Sequence, residues 1–291
     1  MIEIKNLVKK FDSVIAVNNL SVTFTEGVYG IIGENGAGKS TLLRLISNVY
    51  LKDEGEILVD GEDNSNHSAN KKIFFLSDNP YYERISTIKQ TVSLYNSIFD
   101  LNEDKCFKIL EQFDLPIDRR ISTFSKGMRR QLFIAIALSM NVKYLLLDEV
   151  FDGLDVLILD VIKNLIIQSA EDKVIIVSSH NASVLQNLCN NFIILTKGKI
   201  ENNGSLEDLA STYIKYQIVG SDIDKQSLEA FGINVIQLTT LGSIIHLITD
   251  KEINIDEFKN RFNPYIIENI ILTNEEILKI NLLVGKENHN E

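Results

Sequence analysis

The sequence predicts an α/β chain in two parts: a mixed-sheet core with a helical insertion over residues 1–215, and a smaller α+β unit over 216–291. Three observations support this. Short β-branched runs alternate with helical patterns as far as about Lys199, the order that builds a sheet covered by helices. A glycine-rich stretch, Gly33 to Thr41, lies between an apolar strand pattern and the start of a helical one. After Tyr216 the rhythm changes to shorter elements around one hairpin.

In order along the chain, residues 2–7, 20–24 and 28–32 read as strands, and Lys39–Ile46 as a helix. Residues 56–59 and Ile73–Leu76 are further strands, separated by a polar loop over 61–72. From about 87 to 140 the periodicity is helical, in the strings TIKQTVSLYNSIF, NEDKCFKILEQF and SKGMRRQLFIAIALSM. Residues 144–147 are uniformly apolar, as expected of a central parallel strand buried on both faces. Residues 155–169 read as a helix, 174–177 as a second buried strand, and 192–200 as a hairpin turning at Lys197-Gly198. Ser205 and Asp208 cap a helix expected to end near Tyr216. The remainder reads as strand (217–219), helix (225–231), hairpin around Gly242, helix (256–262), strand (265–272) and helix (274–283). That β-α-β-β-α-β order suggests a ferredoxin-like unit. The closing KENHNE reads as a frayed polar tail.

Composition is ordinary globular, with 45% hydrophobic and 24% charged residues in 291. A formal net charge of -11 argues against nucleic acid as a partner, because neutralising phosphates needs clustered Lys and Arg. Cys106 and Cys189 have no CxxC or Cys/His spacing and read as reduced thiols of a cytosolic protein. The N-terminal pattern is strand-like rather than that of a signal peptide. No apolar run approaches the ~20 residues that span a bilayer. Work at a membrane therefore implies docking onto an embedded partner.

Gly33-Glu34-Asn35-Gly36-Ala37-Gly38-Lys39-Ser40-Thr41 matches GxxxxGK[ST]. Glycines let backbone N–H groups turn inward around a β-phosphate, and the following helix points its positive end at the same place. Lys39 reaches the β- and γ-phosphates of ATP, and the Ser40 hydroxyl ligates Mg²⁺. The apolar run 144–147 ends in Asp148 and Glu149. An Asp at a strand end beside a phosphate loop holds the Mg²⁺ hydration shell, and a carboxylate one residue later accepts a proton from the attacking water. His180 follows the next buried strand, facing the crevice where ligands bind in such sheets and able to hydrogen-bond a γ-phosphate. His67, His246 and His289 have no such context.

These residues, in this order, resemble the nucleotide-binding subunit of ABC transporters over roughly residues 1 to 215. Phe124-Ser125-Lys126-Gly127-Met128, about twenty residues before Asp148, is similar to the family signature usually written LSGGQ. The resemblance implies that Phe11 stacks on adenine and that Asp155 lies in a loop communicating between two ATP sites. It also implies that Ser125 and the Gly127 backbone contact the γ-phosphate of ATP held by a second subunit. In that family the role of a Gln sensing Mg²⁺ and water falls, in this chain, on Asp78 or its neighbour Asn79. Lys126 and Met128 stand where the signature usually has Gly and Gln. The string SKGM resembles the signature of exporters for drugs, lantibiotics and sodium, whose membrane subunit is a separate chain.

The resemblance thus implies ATP and Mg²⁺ as ligands and a homodimer of cassettes. It also implies a separate multi-spanning permease, with this chain cytoplasmic and peripheral on the inner face of the cell membrane. A soluble ATPase acting in assembly without a permease is the alternative. Tyr81 and Tyr82 fall in the region that in this family receives a cytoplasmic helix of the permease; they either dock there or pack on the chain's own helices. The C-terminal unit either steadies a dimer or binds a regulatory ligand, although it has no ligand motif.

Overall fold

A computed structural model of the chain describes residues 1–220 and 223–287. It divides into two compact units, Met1–Glu201 and Asn202–Glu291.

The first unit holds two sheets. Strands β1 (Ile2–Phe11), β2 (Val14–Phe24), β4 (Glu54–Val59) and β5 (Glu62–Asp63) form an antiparallel sheet in the order β2-β1-β4-β5. The second sheet is built on β3 (Gly27–Ile32), β6 (Ile73–Leu76), β7 (Tyr144–Asp148), β8 (Val174–Ser179) and β9 (Asn191–Thr196). With β10 (Lys199–Ser205) its order is β10-β9-β3-β8-β7-β6. Ladders β6–β7, β7–β8, β8–β3 and β3–β9 are parallel, so the carboxyl ends of these strands share one edge. Helix α1 (Lys39–Ile46) shares a core with both sheets: Leu42 and Ile46 pack with Ile2, Phe24 and Ile57 from one, and with Ile31 and Leu146 from the other.

The loop expected over 61–72 holds β5 and the short helix α2 (His67–Asn70). Its buried Asn64 donates to Leu45 O (2.7 Å) and Ile46 O (3.1 Å), closing the last turn of α1. The helical insertion connects the neighbouring strands β6 and β7 through α3 (Ile88–Ile98), α4 (Glu103–Gln112) and α5 (Lys126–Leu138). Each starts at a side-chain cap: Thr87 with Gln90 as a capping box, then Asn102, then Ser125. After β7 come α6 (Val156–Gln168), then β8 and the short α7 (Ala182–Leu185).

The second unit begins earlier than residue 216. Ser205 and Asp208 do form a capping box, but the helix they start, α8 (Leu206–Ala210), ends well before Tyr216. Residues Ile214–Val219 form β11 instead, because this segment is paired on both sides, with β13 and β14. Helix α8 packs against α11 (Asn274–Glu287), where buried Asn281 donates to Leu209 O at 3.3 Å. The division therefore falls at 201/202 rather than at 215. Between them lie α9 (Lys225–Ala230), β12 (Val235–Leu241), β13 (Ile244–Thr249), α10 (Ile255–Phe262) and β14 (Ile266–Ile270). The antiparallel sheet order β12-β13-β11-β14 with two helices is the ferredoxin-like arrangement, filled by Tyr216, Ile218, Leu228, Leu247 and Phe258. Helix α11 runs on into the expected tail; residues 288–291, with His289, lie outside the described residues. Among the described residues no helix is long and apolar enough to cross a membrane.

Candidate nucleotide site

The glycine-rich turn joins β3 to α1 and is shaped by close backbone approach. A Cβ on Gly38, at φ 105°, would stand 2.4 Å from Ala16 O, and one on Gly33 would stand 2.4 Å from Leu195 O. Only glycine fits either position. Lys39 opens α1 with its side chain 5% exposed, folded back along the turn. Its ammonium donates to Gly33 O (2.8 Å) and Glu34 O (3.1 Å) and pairs with Glu149 Oε1 at 3.1 Å.

Asp148, the last residue of β7, is fully buried. Its Oδ1 accepts from Ser40 Oγ (3.0 Å) and Ser178 Oγ (2.6 Å), while Oδ2 is buried without a partner. Burial pushes the Asp148 carboxyl above its ordinary value, against the pull of the two hydroxyls. An orphaned carboxylate oxygen beside a serine hydroxyl is a hard oxygen donor set, and it fits Mg²⁺. The expected metal contact Asp78 is engaged elsewhere: Oδ1 accepts from Arg44 (3.4 Å) and Oδ2 from Asn79 Nδ2 (2.9 Å).

Glu149 sits just past the strand at φ 48°, its N–H directed at Ser178 O (3.2 Å) and Ser178 Oγ (3.1 Å). Its Oε2 faces His180 Nδ1 at 3.0 Å and accepts from the His180 N–H at 3.3 Å. Lys39, Glu149 and His180 therefore form one chain of polar contacts across the edge where β7 and β8 end. The ligand atoms of Glu149, Asp152 and His180 lie within 4.8 Å of one another.

Lys39, Glu149 and His180 open into a cavity of about 540 Å³; Asp148 is not part of its lining but bonds to Ser40, which is. Asn35, Gly36, Gly38, Lys39, Ser40 and Thr41 line it, and so do Asp78, Asn79, Glu149 and His180. Other expected site residues lie outside this lining. Phe11 is 40% exposed, edge-on to the Tyr50 ring with centroids 5.4 Å apart. Ser125 caps α5, its Oγ accepting from Met128 N–H at 3.1 Å, and Asp155 caps α6 through Ile158 N–H at 3.2 Å. Gly127 lies under the loop before α6, where a Cβ would stand 3.0 Å from Gly153 O. Gly33 forms the base of the turn.

Sequence reasoning missed Asp152, Arg130, Ser178 and the β2 residues Val14 to Ala16, which the structure brings to the site. A signal existed for two of them. Ser178 precedes His180 at a strand end, and Arg130 lies one helical turn after Lys126, on the same face.

The ABC transporter family model matches residues 17–152. The chain is 30% identical to the ABC transporter ATP-binding protein YtrB of Bacillus subtilis over 224 residues, covering 75% of this chain and 76% of YtrB. It is 34% identical to NatA of the same organism over 206 residues (67% and 83%). It is also 30% identical to the lantibiotic transport ATP-binding protein SrtF of Streptococcus pyogenes over 227 residues (75% and 99%). Among solved structures, an ATP-binding subunit of an ABC transporter superposes with TM-score 0.66 at 21% identity, over 72% of this chain and 92% of that one. A dimeric cassette in a post-hydrolysis state bound to ADP and Pi gives 0.63 at 24% identity, over 70% and 98%.

Proposed function

This chain belongs to the ABC transporter family as an ATP-binding subunit and is an ATPase, and from that premise we propose how it works. Two copies close on two ATP molecules, each site using the phosphate loop of one chain and Ser125 and Gly127 of the other. The observation that supports this most is the split within one chain. The phosphate loop, Glu149 and His180 share a cavity that Lys126 also reaches, whereas Ser125, Gly127 and Asp155 lie outside its lining. One chain alone thus holds two half-sites.

Within a site, Lys39 leaves Glu149 to meet the β- and γ-phosphates. Ser40 and Asp148 would hold Mg²⁺, which when bound would supply positive charge against the phosphate oxygens. Glu149 then takes the proton of the attacking water, with His180 holding the carboxylate in place. Closing and opening of the pair drives a separate membrane-spanning permease, which places the chain on the cytoplasmic face of the cell membrane. The direction we propose is export, on the SKGM string and on the likeness to a lantibiotic transport protein. A methionine import protein of Legionella pneumophila is 31% identical over 225 residues, so direction is to be read from substrate flux.

Mixing Lys39→Ala chains with Ser125→Arg chains tests the shared site. Each variant alone should be nearly inactive, and the mixture should regain hydrolysis through its one intact site. Full activity of Ser125→Arg as a monomer would exclude the arrangement.

A further inference from the structure

Helix α5 has two working faces. Ser125 and Gly127 at its start lie outside the phosphate cavity, whereas Lys126 and Arg130, four residues apart, line it. Arg130 is 6% exposed, and its Nη1 has no hydrogen-bond partner. Burying an unmet guanidinium donor is costly, so a native chain keeps one where a ligand meets it. Among the described residues only three buried side-chain atoms lack a partner: one is the donor Arg130 Nη1 in the cavity lining, and another is the acceptor Asp148 Oδ2, on the carboxylate bonded to the lining residue Ser40. An unmet donor and an unmet acceptor at one site are complementary to an anion and a cation bound together, as in a magnesium–phosphate pair.

The charges agree. The cavity wall sets Glu34, Asp78, Glu149 and Asp152 against Lys39, Lys126 and Arg130, and Lys39 is already paired with Glu149. Burial works against the charged guanidinium, while the carboxylates of Asp152, Asp78, Asp148 and Glu149 favour it. None of the four forms an ion pair with it. A polyanion entering this wall needs a cation not already neutralised, and Arg130 supplies one whose planar fork suits phosphate oxygens.

We propose that Arg130 donates to the terminal phosphate of the nucleotide bound by its own chain, and so distinguishes a triphosphate from a diphosphate. This rests on the cavity being the nucleotide site. It adds a contact made in cis by the same helix whose N-terminal residues are assigned to the partner's nucleotide.

The test is a titration of the full chain with fluorescent mant-ADP and the non-hydrolysable mant-AMPPNP, both with Mg²⁺, on wild type, Arg130→Gln and Arg130→Lys. Losing one charge-assisted hydrogen bond should weaken AMPPNP binding by roughly 10- to 100-fold in Arg130→Gln. ADP binding should stay within twofold. Arg130→Lys keeps the charge without the fork and should lose a smaller factor, again for AMPPNP alone. If Arg130→Gln fails to fold by thermal melting, Arg130→Lys decides by the same ratio. Equal weakening of both nucleotides, or no change in either, overturns the proposal and leaves the nucleotide site standing. Wild type binding neither nucleotide would overturn both.

Discussion

At Glu149 the backbone takes φ 48°, a left-handed conformation costly to a non-glycine residue, and Ser178 secures it through both its carbonyl and its hydroxyl. That geometry aims one carboxylate oxygen at Lys39 and the other at His180. Glu149→Gln keeps the shape but not the proton affinity. Phosphate release should fall at least about 100-fold with nucleotide affinity within threefold, and turnover above a third of wild type would remove Glu149 from the role of base. His180→Ala frees the carboxylate it holds and should cost about 10-fold in turnover on the same assay. The Asp148-Glu149 pair was legible in the sequence because a strand ending in two acids follows a phosphate loop. Asp152 was not, since the loop after β7 brings it to the cavity, and Ser178 and Arg130 left only a spacing signal. A further residue-scale device is Asp60, which accepts from Tyr144, Lys72, Lys143 and the Met1 ammonium, all of which hold its carboxyl well below the usual range against its burial. Asn also tolerates its left-handed φ of 51°, so Asp60→Asn isolates the charge. With its side chain a quarter exposed, the contribution is screened to about 1–2 kcal/mol, a fall of roughly 2–6 °C in melting temperature at pH 7. A depressed carboxylate stabilises fully above its unfolded value near pH 4. The difference between Asp60→Asn and wild type should therefore shrink as pH falls below about 4, and a difference that grew there would contradict this assignment.

At the scale of elements, the segment between β6 and α3 divides its two tyrosines. Tyr82 is half-buried against the Phe133 ring (centroids 6.3 Å) with the Arg129 guanidinium 5.6 Å over its own ring, whereas Tyr81 is 79% exposed beside exposed Ile85. Both tyrosines line an apolar cavity of about 270 Å³ over Phe74, Leu94 and Phe99. Tyr82 thus packs on the chain's own helix α5, one of the two sequence readings, while Tyr81 stays exposed. Tyr82→Ala should lower the melting temperature by several degrees, as a large-to-small change against α5. Tyr81→Ala should leave melting and basal hydrolysis unchanged and reduce copurification with membranes; normal membrane binding would remove Tyr81 from the docking surface. Burial raises the thiol of Cys106 to about 12 and that of Cys189 higher still, so a thiol reagent at pH 8 should label neither until the chain is denatured. Elements with strong periodicity were readable: Lys39–Ile46, the three insertion helices and the buried strands appear where the pattern puts them. Failures came where tertiary pairing decides. Tyr216 ends a helical pattern in sequence yet lies in β11 because strands flank it on both sides, and α8 belongs with α11 because Asn281 meets Leu209 O.

For the whole molecule, each unit has its own core, and the matches to relatives cover two thirds to three quarters of the chain. Membership of the family follows from several motifs in fixed order along the chain, and motif order is a property of the sequence alone. What a single chain cannot show is the second half of its site. Ser125 and Gly127 of the signature lie outside the lining of the phosphate cavity, so the proposed shared site requires nucleotide to bring two chains together. The direct measurement is molar mass by light scattering on the Glu149→Gln chain, with and without MgATP. The account predicts 32.9 kDa without nucleotide and a species of twice that mass with MgATP, reversed when Ser125→Arg is added to the same chain. A mass that stays at 32.9 kDa under saturating MgATP, while the wild-type chain hydrolyses ATP at full rate, would contradict it.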